Sequence, residues 1–133
     1  MALGHKLTAE HGFLSFVVQG EVREVDIQKL IDAGRVLAQK RHRFWILADV
    51  THMTGFSTDA RRAAAQNPYG DQFHGAAVVG ATTFTRTLIT LVTRAMILLG
   101  RSHVDVRFFP SIEAGTQWIR EHLAREDARR AAM

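Results

Sequence analysis

No cysteine occurs among the 133 residues. Disulfide scaffolds, thiolate metal sites and cysteine nucleophiles are therefore excluded, and the composition suits a reducing cytoplasm. Long apolar runs are missing as well. The most apolar segment, 84–99, is interrupted by Arg86, Arg94 and four threonines, and falls short of the roughly 18 apolar residues that suggest a membrane span. The amino-terminal MALGHKLTAEHG lacks the basic-then-apolar pattern of a signal peptide. There is no GxSxG elbow and no Walker A loop; Gly80-Ala81-Thr82-Thr83 is too short for the latter and has no lysine. Asp49, Asp59 and Asp71 do not form a carboxylate pair with an evident acid-base task. The seven histidines, among them His42, His52, His74 and His103, show no metal-ligand spacing and read as scattered surface residues. These absences leave an enzyme without its usual parts, and neither a metal nor a cofactor is expected.

Charge excludes less. The net charge is +4, with basic residues gathered at Lys40-Arg41-His42-Arg43, Arg61-Arg62 and Arg129-Arg130. Aromatic residues are not interleaved with them, as a surface for single-stranded nucleic acid would require. A solvated surface is the reading, with a frayed basic tail over 126–133.

What is present is an alternation of strand and helix patterns. A content of 47% hydrophobic and 23% charged residues describes a soluble globular chain. Residues 44–50 form an almost continuous apolar run, which suits a central strand buried on both faces. Segments 5–8 and 12–19 read as a hairpin, with Leu14, Phe16 and Val18 on one face. Helical stripes recur over 26–40, 58–66, 83–99 and from Ile112 to Leu123, and shorter strands are expected at 76–79 and 104–109. Gly34 falls on the buried stripe of the first helix, where close helix-on-sheet packing would offset its poor propensity. The expected fold is α/β: a mixed, mostly parallel five-stranded sheet in the order β-β-α-β-α-β-α-β-α with crossover helices, in one domain over 1–125.

Two loops end strands and begin helices: 51–58, and Gly80 to Thr83. In the first, Ser57 or Thr58 is a natural N-cap and Asp59 suits the first turn; in the second, Thr82 or Thr83 can cap. Adjacent strands would bring both loops to one edge of the sheet, where free N–H groups and hydroxyls suit an anion. The structural reading of the same hydroxyls is that they cap helices. The helix from Phe84 to Leu99 carries more apolar residues than one sheet face hides, so a symmetric dimer through it is expected.

The element order and the stretch Asp49-Val50-Thr51-His52-Met53-Thr54 resemble the STAS superfamily, in particular its stand-alone anti-sigma-factor-antagonist-like (SpoIIAA-like) branch, with a related CRAL-TRIO (Sec14)-like group. That resemblance implies a cytoplasmic, non-enzymatic regulator that binds a protein, a kinase-like partner or an anti-sigma regulator. In the antagonists the turn ends in Asp-Ser-Ser-Gly, and the first serine is phosphorylated. Ser57-Thr58-Asp59-Ala60 occupies that place, with Thr58 at the phospho-acceptor, Ser57 and Asp59 replacing the aspartate and second serine, and Ala60 the glycine. The resemblance makes Thr54, Ser57, Thr58, Asp59, Arg61 and Arg62 the recognition loop. Gly80, Thr82 and Thr83 form the candidate anion or ligand loop. The alternative function is a carrier or sensor of a small apolar or lipid ligand, held near the apolar helix.

Overall fold

The computed structural model describes residues 5–10, 12–41, 43–66, 73–99 and 104–132. Its elements run β1 (Lys6–Ala9), β2 (Phe13–Val22), α1 (Glu24–Arg41), β3 (Phe44–Phe56), α2 (Thr58–Ala65), β4 (Phe73–Val79), α3 (Thr83–Leu98), β5 (Asp105–Phe109) and α4 (Ile112–Ala132). One five-stranded sheet has the order β1-β2-β3-β4-β5. Only the β1–β2 hairpin is antiparallel; β2–β3, β3–β4 and β4–β5 are all parallel. The expected mixed sheet, with β3 at its centre, is the one observed. Asp71, His42 and His103 lie outside the described residues.

The apolar run at the start of β3 is buried on both faces because its side chains alternate between two helical layers. Trp45 and Leu47 pack with Ile119 and Leu123 of α4, while Val50 packs with Ile27 and Ile31 of α1 and Ala60 of α2. Close packing needs small residues where helix meets sheet. A methyl group on Gly34 would come within 2.5 Å of the Phe44 ring, and one on Gly115 within 3.0 Å of Leu47. The helix-propensity cost of Gly34 is thus offset by contact with a ring that is 1% exposed.

Two boundaries differ from the sequence pattern. Residues 51–56, expected as loop, continue β3, because β2 itself continues past Gly20 to pair with them as far as Val22↔Phe56. The pairing passes through register shifts between Val17 and Gln19 and between Gly20 and Glu21. At the first of these the Gln19 amide donates to His5 Nδ1 at 2.9 Å, which satisfies a group that the irregular ladder would strand. The other difference is at the carboxyl end. The expected frayed tail over 126–133 is helical through Ala132, and Glu126 is tied to the core by accepting a bond from Trp45 Nε1 at 3.3 Å.

Helices α1 and α3 both pack against α2 and leave an apolar cavity on the sheet between them, about 150 Å³ in volume. Residues of β2, β3, β4, β5, α1, α2 and α3 line it, among them Phe16, Ile46, Val78, Ile31 and Val92.

Candidate functional site

The start of α2 brings the expected recognition residues together, though on a strand end and a helix rather than a loop. Thr54 is exposed on β3. Ser57 is the N-cap: its backbone is extended, and its hydroxyl accepts from the Ala60 amide at 3.0 Å. Its own amide donates to Val22 O at 3.0 Å, so the extended β2–β3 pair fixes where the helix begins. Thr58 is therefore free of capping duty. It is exposed, and its hydroxyl accepts a bond from Arg61 Nη2 at 3.1 Å. Asp59 sits in the first turn, where the helix dipole favours it, and pairs loosely with Arg62 at 3.8 Å. Arg61 Nε is buried without a hydrogen-bond partner among the described residues. A buried donor lacking an acceptor calls for explanation, since most such groups are paired.

This division of labour is measurable. Ser57→Ala is expected to cost about 1 kcal/mol in urea denaturation, and Thr58→Ala less than about 0.5 kcal/mol, as for an exposed residue outside a cap. Equal losses at the two positions would contradict the assignment of the cap.

The second loop lies at the end of β4, beside β3 but away from the start of α2. Gly80 has φ of 78°, a conformation that favours glycine, and a methyl group there would strike Thr51 Oγ1. Thr51 in turn donates its hydroxyl and its amide to Asp49 Oδ1, at 2.6 and 3.1 Å. Thr82 caps α3, its hydroxyl accepting from the Thr85 amide at 3.2 Å, and Thr83 is exposed in the first turn. Gly80 thus meets Thr51 rather than Thr54 or Thr58. The two loops share the carboxyl-end side of the sheet, but β3 carries the first one further out. A helix N-terminus with its cap in place is not by itself an anion site.

Sequence patterns missed a cluster on the opposite face. Trp45, 1% exposed, is ringed by Trp118, His74 and His122, with centroids at 5.2, 4.5 and 4.9 Å. Trp118, His122 and Glu126 recur every four residues on α4, a spacing that could have announced a face. His74 is thus not the surface residue expected. Burial, with help from the Arg43 and His122 side chains, holds its pKa below the ordinary histidine value, against the opposing pull of Glu126 and Asp105. The geometry agrees, since Arg43 Nη1 faces His74 Nδ1 at 3.5 Å and can donate only to an unprotonated nitrogen. A lowered pKa means that the unfolded chain takes up the proton first as pH falls. The His74 contribution is therefore complete above about pH 6.5 and is lost as pH drops below that value. The urea midpoint should fall between pH 7.5 and 5.5, and His74→Asn should reduce that fall; an unchanged fall in the variant would remove His74 as its cause.

Among the described residues no three His, Asp or Glu side chains gather to hold a metal ion, and no helix is long and apolar enough to cross a membrane.

The arrangement at the start of α2, on a parallel sheet opened by an antiparallel hairpin, can be set against known proteins. The SpoIIAA-like family model matches residues 13–120. The chain belongs to the SpoIIAA-like family. Two solved structures share its fold. One is an uncharacterized protein with a SpoIIAA-like fold from Shewanella loihica PV-4, 16% identical, with a TM-score of 0.52 over 86% of this chain and 91% of that one. The other is the anti-sigma factor antagonist SpoIIAA in its unphosphorylated form, 6% identical, with a TM-score of 0.58 over 88% of this chain and 98% of that one. Comparison with curated proteins finds no significant match. These findings carry the SpoIIAA-like side of the resemblance and not its CRAL-TRIO side.

Proposed function

We propose that this SpoIIAA-like domain is a non-enzymatic regulator that binds a partner protein through the start of α2, with Thr58 as its control point. The observation that supports it is the Arg61 guanidinium held on an exposed Thr58 hydroxyl, with its Nε still lacking an acceptor. A phosphoryl group on Thr58 would bring about −1.5 to −2 charge and three acceptor oxygens beside that guanidinium. The dipole and free N–H groups of the helix start favour the same charge. Ser57 keeps the cap, so modification changes the surface without releasing the helix. One structural neighbour is an anti-sigma factor antagonist described in its unphosphorylated form, which suits a partner of the kinase-like or anti-sigma type. Ser57, Asp59 and Ala60, in place of the antagonists' Asp, Ser and Gly, make the partner's reading of this surface its own.

Capture from the source cell with wild-type, Thr58→Ala and Thr58→Glu proteins tests this. The expected outcome is a protein retained by wild-type and Thr58→Ala, lost at least tenfold with Thr58→Glu, together with phosphate on Thr58 by mass spectrometry. Identical partners for all three, with Thr58 unmodified, would leave the residue without a regulatory role.

The outer face of α3 supports a second contact, with another copy of the chain. Phe84, Leu91 and Leu98 are 66%, 51% and 86% exposed and recur every seven residues, with Leu88 and Ala95 completing the stripe. An antiparallel pair crossing at Leu91 would set Phe84 of each copy against Leu98 of the other, as two-fold symmetry requires. No acidic residue interrupts the helix, and Arg86 lies over the Phe108 ring at 4.8 Å, turned toward the sheet.

A further inference from the structure

We propose that the cavity between α1, α3 and the sheet is a binding site for a neutral, compact apolar molecule of about six to ten non-hydrogen atoms, benzene-like in scale for the volume available. Protein interiors are packed with few voids larger than a water molecule. A partly open apolar cleft of about 150 Å³ between three helices and the sheet therefore stands out in a domain of 133 residues. Water does not explain it. A well-held water needs two to four polar partners, and among the described residues Thr93 is the one polar residue in the lining. Its hydroxyl already donates to Ile89 O at 2.8 Å, so it can accept further bonds but has no proton left to donate.

The chemistry of the occupant follows from that lining. Among the described residues no charged side chain lines the cavity, which disfavours carboxylates and amines, because an ion moved there would lose hydration without compensation. The ligand class is an aromatic or short branched hydrocarbon skeleton, bearing at most one O–H or N–H donor for Thr93. Ile89, Val92 and Met96 present the inner side of α3 to this space, while Phe84, Leu91 and Leu98 present its outer side to solvent. An occupant would therefore bear on the same helix that carries the exposed stripe. This inference does not depend on Thr58 or on any partner protein, and a failed capture experiment leaves it standing.

Backbone amide NMR on the isolated chain tests it, with toluene and phenol as probes and benzoate as the charged control. Toluene and phenol should produce saturable shifts at Ile89, Val92, Thr93 and Met96 and at Ala76 and Val78, whereas benzoate should produce none. Ala76→Leu and Val92→Phe fill the cavity from the sheet and from α3. Each should weaken toluene binding at least tenfold while keeping a dispersed spectrum. The comparison of toluene with benzoate on the wild-type chain holds even where a filled variant does not fold. Linear, unsaturable shifts with toluene, equal binding of benzoate, or undiminished toluene affinity in a folded variant would each overturn the proposal.

Discussion

Replacing Trp45 with alanine is expected to remove about 3–5 kcal/mol of stability, the usual range for a buried tryptophan. The domain has about 5–15 kcal/mol in all, so the variant should sit close to unfolding at room temperature. The size of the effect follows from position. Trp45 is on the central strand, 1% exposed, with rings from β4 and α4 against it and its indole N–H donated to Glu126. Removing it opens a cavity and also leaves a carboxylate without its donor. Trp45→Phe should retain most of the packing and lose chiefly that bond, at about 1–3 kcal/mol. Urea denaturation followed by circular dichroism separates the two. A loss under about 1 kcal/mol for alanine would mean that α4 does not close over the sheet as described.

Leu91→Glu is expected to abolish self-association while leaving the monomer folded. The proposed two-fold pairing of α3 would place residue 91 against its own copy, so one substitution would put two carboxylates face to face in an apolar seam. A buried, unpaired charge costs several kcal/mol, which amounts to at least a hundredfold in the dimer dissociation constant. Leu91 is 51% exposed in the single chain, so the monomer loses little. Sedimentation at tens of micromolar should show a dimer for the wild-type chain and a monomer for the variant. Monomer alone in both would remove the seam.

The fold was legible where burial writes a period into the sequence. The apolar run of β3, the first hairpin and the stripes of all four helices announced a parallel sheet with β3 at its centre. Legibility ended where structure depends on a distant partner. Residues 51–56 carry hydroxyls because they are largely exposed, yet they are held in a strand by β2, which continues past Gly20 only through two register shifts. The local composition could not show that pairing. The carboxyl end is similar, since the apolar stripe stops at Leu123 while Glu126 anchors the next turn to Trp45. Excess apolar coverage on α3 was visible, but the cavity beneath its inner side was not, because a void is a property of how layers meet. At the candidate site, Ser57 and Thr58 were equivalent as caps by sequence. The Ser57 amide bond to Val22 O separated them, and left Thr58 exposed beside Arg61.

Charge reversal at Arg61 tests the central claim most directly. Arg61→Glu keeps the Thr58 hydroxyl and the Ser57 cap but turns the proposed recognition surface from a cation to an anion. Wild-type and variant proteins, matched for melting temperature, would be used as bait in lysate of the source cell, and the retained proteins quantified. At least one protein should be held by the wild-type chain and reduced at least tenfold with the variant. Equal retention by both, or no protein held by the wild-type chain above an empty resin, would contradict a regulatory surface at the start of α2.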